Sequence, residues 1–109
     1  MDYFKKGDLL YVNLNPVQGH EQAGMRPVMV VSNNGFNKMC NGMYKVVPIT
    51  SKVKKFPLNV DLPDDLPVHG QLLLSQEKAI DLNARAHKKI GSAPVTFVKE
   101  VDDLIALTY

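Results

Sequence analysis

Leu10-Tyr11-Val12-Asn13-Leu14 alternates apolar and polar side chains with a period of two, so Leu10, Val12 and Leu14 share one face of a β-strand that Asn15-Pro16 ends. Residues 17–25, rich in glycine and polar side chains, lead to Pro27-Val28-Met29-Val30-Val31, a β-branched and apolar run that reads as a buried strand entered through proline. Such a segment is long for a hairpin loop, and long loops in compact domains often carry function. Working outward, Ser32-Asn33-Asn34-Gly35 supplies capping and turn chemistry, and residues 34–39 are expected to form one short helical turn before the Asn41-Gly42 turn. A third strand is expected over Met43–Thr50. Leu58, Val60 and Leu62 alternate again, residues 71–75 form another apolar strand, and residues 78–80 continue it or pair beside it. Residues 81–85 are expected as a turn or short helix and 86–90 as a further strand. Beyond Gly91 the period changes: Val95, Val98, Val101 or Asp102, Ile105 and Leu107 or Thr108 recur at helical spacing, with Ser92 as a cap and Pro94 in the first turn. Many short strands, irregular connections and one C-terminal helix packed on a sheet predict a mainly β fold, a small curved barrel. A parallel α/β sheet would need helices between successive strands.

The 109 residues, 45% hydrophobic and 22% charged, fit one domain spanning 1–109 that folds without disulfide or metal. The single cysteine, Cys40, excludes an intramolecular disulfide and a multi-cysteine zinc site and fits a reducing, cytoplasmic compartment. It reads as an incidental free thiol, since no neighbouring base activates it. No apolar run approaches the roughly 20 residues that span a bilayer, and residues 1–8 lack a signal-peptide core, so no membrane association is expected. Thirteen Lys and Arg against eleven Asp and Glu leave a net charge of +2, which permits an anionic partner and identifies none unless the basic residues cluster. A glycine-rich phosphate loop, a His-Glu-x-x-His motif and a dinucleotide fingerprint are all absent.

The densest chemistry is Gly19-His20-Glu21-Gln22-Ala23-Gly24-Met25-Arg26-Pro27. It gathers an imidazole, a carboxylate, a carboxamide and a guanidinium, with two glycines that let the backbone turn tightly or approach a ligand. Arginine offers a planar fork to two phosphate oxygens, while His20 or Glu21 can move a proton. Composition alone leaves a second reading open, a polar surface loop in which Glu21 and Arg26 pair. Thr50-Ser51-Lys52 closes the third strand with hydroxyls able to donate to a phosphate, or simply ends it. Lys52, Lys54 and Lys55 form one basic group, and Arg85, Lys88 and Lys89 another; either contacts phosphate only if it borders Arg26 and Thr50. Of Phe36, Tyr44 and Phe56, at least two are expected in the core, leaving little aromatic surface for base stacking. His69 and His87 are weaker catalytic candidates.

In order along the chain, Gly19-His20-Glu21-Gln22-Ala23-Gly24-Met25-Arg26-Pro27-Val28, Val46-Val47-Pro48-Ile49-Thr50-Ser51, His69-Gly70, Leu74-Ser75-Gln76 and Ile80-Asp81-Leu82-Asn83-Ala84-Arg85 resemble the MazF/PemK/Kid/ChpB toxins of bacterial toxin-antitoxin systems. The resemblance runs from Gly7-Asp8 to the terminal helix. It implies an SH3-like, CcdB-type barrel that forms a homodimer, and a metal-independent, cofactor-free endoribonuclease cutting single-stranded RNA at short motifs. Its implied partner is an antitoxin whose disordered tail covers the RNA groove, with DNA reached only through that antitoxin. By the same resemblance Arg26 and Thr50 match catalytic residues, His20 a histidine of the Kid and ChpB branch, and Glu21 a widely shared glutamate. Gln22, Ser51, Lys52, Lys54, Gln76 and Arg85 are expected to contact RNA. Ser75 stands where the Kid branch has an aspartate thought to act as base, and Leu73 where it has an arginine. The ChpB branch is also neutral at the first position, so the base is expected to be Glu21 or His20. The departure at Ser75 keeps a second reading open, a non-catalytic relative such as a CcdB-like gyrase poison or an inactive RNA or antitoxin binder.

Overall fold

A computed structural model describes residues 3–14 and 25–109. The elements run β1 (Asp8–Asn13), β2 (Met25–Val30), α1 (Asn34–Met39), β3 (Met43–Thr50), β4 (Asn59–Asp61), β5 (Gln71–Leu73), β6 (Lys78–Asp81), β7 (His87–Ser92) and α2 (Val95–Ala106), with 3-10 turns at Leu74–Gln76 and Leu82–Ala84. The expected helical turn is α1, capped where the Asn33 side chain accepts the Phe36 N–H. No helix among the described residues is long and apolar enough to cross a membrane.

All pairings are antiparallel, in the order β4-β5-β3-β2-β1-β7, with β6 also on β3. Among the described residues β4 and β7 do not pair, so the expected barrel is not closed by hydrogen bonds. Apolar side chains hold it together on both faces. Leu9, Met29, Val47, Ile49 and Leu72 pack with Phe97 and Val101 of α2 on one side. Leu10, Val12, Val28, Val30 and Val46 pack with Tyr44, Ile80 and Leu82 on the other. Burial of both faces explains why β2 reads as a near-continuous apolar run.

Three sequence expectations change. Ser92 does not cap α2: its hydroxyl donates to Asp8 Oδ1 at 2.9 Å, and Pro94 occupies the N-cap without a side-chain cap bond. Val95 lies at the exposed start of the helix, which buries Phe97 and Val101, with Leu104 and Ile105 packed beside them, so the stripe begins two residues later than expected. The apolar strand expected over 71–75 stops at Leu73. Ile49 pairs with Leu72 and Val46 with Lys78, so Val47 and Pro48 span what Leu73 to Glu77 span on the facing chain. The three extra residues are taken up by the 3-10 turn Leu74–Gln76, opposite a proline that has no N–H to donate.

Candidate active-site groove

Val28 pairs with Pro48 and Val30 with Val46. Continuing that register two residues past Val28 brings Arg26 level with Thr50. Arg26 shares its strand face with Val28 and Val30, and Thr50 with Val46, so both extend the second core's face beyond its apolar part. Arg26 and Thr50 line a cavity of about 450 Å³ together with Ser51, Lys52 and His69. Thr50 and Lys52 also border a cavity of about 390 Å³ lined by Lys54, Lys55, Phe56, Ser75 and Gln76, which makes the two one groove. Cavities of about 560 Å³ beside the N-terminal segment and about 420 Å³ at the end of α2 contain neither Arg26 nor Thr50.

Local backbone geometry builds this groove. Gly70 has φ +130°, and a Cβ there would lie 2.0 Å from the Thr50 carbonyl oxygen. Only glycine permits so close an approach, and it sets His69 beside the end of β3. The three-residue insertion at Leu74–Gln76 brings Ser75 and Gln76 to the same groove. Thr50 Oγ1 accepts the Lys52 N–H at 3.1 Å, which occupies an acceptor site and leaves the hydroxyl proton free to be donated. The Arg26 side chain is exposed and, among the described residues, donates one N–H to the Met25 carbonyl at 3.1 Å. No Asp or Glu among the described residues lines either cavity, so Arg26, Lys52, Lys54 and Lys55 make the described lining cationic. Such a surface attracts a phosphodiester chain, and its guanidinium and hydroxyl can hold non-bridging oxygens. No group of three or more metal-ligating side chains occurs among the described residues.

The structure thus brings together Arg26, Thr50, Ser51, Lys52, Lys54 and Gln76. His20, Glu21 and Gln22 lie outside the described residues. Arg85 lines neither cavity: its Nη1 donates to the Asn13 carbonyl at 3.0 Å, at the end of β1 opposite Met25. The second basic group stays apart as well, with Lys88 and Lys89 on β7 and Lys89 3.4 Å from Asp8. Tyr44 is buried, Phe36 lies under Lys45, and Phe56, 52% exposed, is the one of the three aromatics that borders the groove. His69 borders it too, whereas His87 packs edge-on against Phe4. Gln71, buried at the start of β5 and in register with Thr50, is a polar side chain that the sequence did not single out; a lone carboxamide opening an apolar strand is its one mark there.

Residues 5–109 match the family model described as a PemK-like, MazF-like toxin of type II toxin-antitoxin systems. The chain is 39% identical over 105 residues to the endoribonuclease toxin ChpB of Escherichia coli K12, covering 89% of this chain and 86% of that protein. Identity to the endoribonuclease toxin MazF of the same strain is 38% over 86 residues, 79% of this chain and 76% of that one. In three dimensions it superposes on MazF of Deinococcus radiodurans with a TM-score of 0.82 at 30% identity, covering 99% of this chain and 97% of that one. A MazE-MazF crystal structure from that organism gives 0.82 at 26% identity, with 99% and 96% covered.

Proposed function

The chain belongs to the PemK-like, MazF-like toxin family and is an endoribonuclease toxin of a toxin-antitoxin system, and from that premise we propose that it cleaves single-stranded RNA in the Arg26–Thr50 groove without a metal ion. The observation that carries the reading is the meeting of Arg26 and Thr50, from neighbouring strands, in a cavity that continues into a lysine-lined groove. In this mechanism the 2′-hydroxyl attacks the adjacent phosphorus, the bond to the 5′-oxygen breaks, and a 2′,3′-cyclic phosphate remains. Such a step needs a base at the 2′-oxygen, an acid at the 5′-oxygen and charge stabilisation at the phosphorane. Arg26 neutralises the developing charge through its fork or helps protonate the leaving 5′-oxygen. Thr50, with one acceptor site already held by the Lys52 N–H, donates to a non-bridging oxygen. Glu21 or His20 takes the 2′ proton or orients the group that does. Ser75 at the groove is neutral and does not act as an ordinary base near pH 7. Ser51, Lys52, Lys54 and Gln76 hold the flanking RNA, Arg85 contacts it outside the two cavities, and Gln22 contacts it as well.

The active form is proposed to be a cytoplasmic homodimer of one-domain chains. Its groove is covered in the resting state by an acidic segment of a cognate antitoxin, which also supplies any DNA contact. The likeness to a toxin crystallised with its MazE partner supports the antitoxin. The test is purified chain with EDTA on a long single-stranded transcript: the expected products carry 2′,3′-cyclic phosphate ends, and Arg26→Ala and Thr50→Ala lose cleavage while keeping the fold. An intact transcript with no antitoxin present overturns the reading, and gyrase inhibition without cleavage replaces it with a non-catalytic one.

A further inference from the structure

The basic side of the groove is a stretch of chain with nothing apolar to hold it. Residues 51–57 are all exposed, and none of them belongs to a helix or strand. Lysines on such a segment ordinarily sample many positions, and each phosphate contact they make costs the entropy of ordering a long side chain and its backbone. Beneath this segment lies Gln71, only 5% exposed, at the start of β5 and in register with Thr50. Its Oε1 accepts the Lys54 N–H at 3.0 Å and an Asn59 side-chain N–H at 3.3 Å. Its Nε2 donates to the Lys54 carbonyl at 3.2 Å and to Asp61 Oδ1 at 2.9 Å. Both donors and both lone pairs of the carboxamide are therefore used. The amide orientation follows from the partners, because the Lys54 N–H can only donate while the Lys54 carbonyl and the Asp61 carboxylate accept.

Taking the groove as the RNA site proposed above, we propose that Gln71 is a positioning residue: its buried carboxamide grips both backbone groups of Lys54 and so holds the cationic segment 52–55 along the groove beside Thr50. The side chain imitates the two-bond exchange of a β-bridge where the chain itself forms none, and Asn59 and Asp61 of β4 fix the carboxamide from below. One residue thus ties the register of the catalytic strand to the placement of the lysines. A satisfied, buried polar network of this kind rigidifies, which removes part of the ordering cost from RNA binding.

The experiment compares wild type, Gln71→Leu, Lys54→Ala and the double variant on a transcript that the wild type cleaves, at a temperature where melting curves show each to be folded. Gln71→Leu is expected to raise KM about 5- to 10-fold with kcat within about threefold. The slope of log(kcat/KM) against log salt should become shallower by about 0.7, the contribution of one phosphate contact on a single strand. Lys54→Ala should reproduce most of that change, and the double variant should add little to it. A purely structural role lowers the melting temperature and leaves KM and salt slope unmoved in the folded protein, and that result overturns the proposal. If Gln71→Leu is not folded at the assay temperature, Gln71→Glu carries the same comparison. It keeps the size and the acceptor for the Lys54 N–H but sets a carboxylate against Asp61 and the Lys54 carbonyl. A wild type that leaves RNA intact overturns the nuclease reading instead, so the two failures are distinguishable.

Discussion

Replacing Gly70 with alanine tests whether the approach of two chain segments at Thr50 builds the proposed active site. The added Cβ meets the Thr50 carbonyl oxygen at 2.0 Å, at least 1.0 Å inside the 3.0 Å below which real Cβ atoms essentially never come. The atoms it meets are backbone, so no side chain can swing away. The φ of +130° adds a conformational cost of about 1–3 kcal/mol for an L side chain, and relieving the overlap costs about 1–3 kcal/mol more. The expected loss is about 4 kcal/mol, which in a chain of 109 residues lowers the melting temperature by about 15 °C. A domain with the usual 5–15 kcal/mol of stability stays folded at 20 °C in most of that range. The segment must nevertheless retreat, and Thr50 moves with it or loses its neighbour, so kcat should fall about 100-fold, since even 1 Å of misplacement has this effect. Melting curves by circular dichroism and single-turnover cleavage below the transition supply both numbers. A melting temperature within about 3 °C of wild type together with unchanged kcat would refute the reasoning.

Thr50→Ser keeps the hydroxyl and should cleave within about tenfold of wild type, whereas Thr50→Val should lose about 100-fold or more in kcat through removal of one donor to the phosphorane; initial rates on one transcript separate them. Arg26→Lys keeps the charge and loses the planar fork, so kcat should fall even though the circular dichroism spectrum does not change. Lys55→Ala should make the salt dependence of RNA affinity shallower by about 0.7, measured by filter binding on a single-stranded RNA whose 2′-oxygens are methylated and cannot attack. Asn37 is fully buried, hydrogen-bonded to the Ser32 hydroxyl and donating to the Ser32 and Phe4 carbonyls, so Asn37→Ala should cost about 2–3 kcal/mol in denaturant melts without altering kcat of the folded protein.

Much of this protein was legible along the chain because its signals are local. The period of two at Leu10, Val12 and Leu14, the capping chemistry at Asn33 and the change of period beyond Gly91 each act within a few residues, and they located β1, α1 and α2. The apolar stripe of α2 was read two residues early because spacing alone does not say where the first turn leaves the sheet. Ser92 was misread as a cap because its partner, Asp8, is remote in sequence. Arg26 and Thr50 were likewise recognisable as chemistry-bearing residues, with Ser51, Lys52 and Lys54 near them, whereas Gln76 was marked only by the resemblance to the toxin family.

Sequence by itself therefore determined the element types, the mainly β class with its terminal helix, and which side chains are capable of phosphate chemistry, since these depend on residue type and short-range spacing. Only the tertiary structure decided which of them meet. Register between β2 and β3 sets Arg26 level with Thr50, and the left-handed Gly70 lets a second segment press against Thr50. The three inserted residues opposite Val47 and Pro48 carry Ser75 and Gln76 to the groove. Gln71 gained its meaning in the same way, because a polar residue in an apolar strand is uninformative until the fold lays Lys54, Asn59 and Asp61 against it. Arg85 and the β7 lysines, equally basic on paper, were left outside the two cavities by the same register. Strand pairing is non-local, fixed by how both faces of the sheet are buried at once, and no single window of sequence contains it.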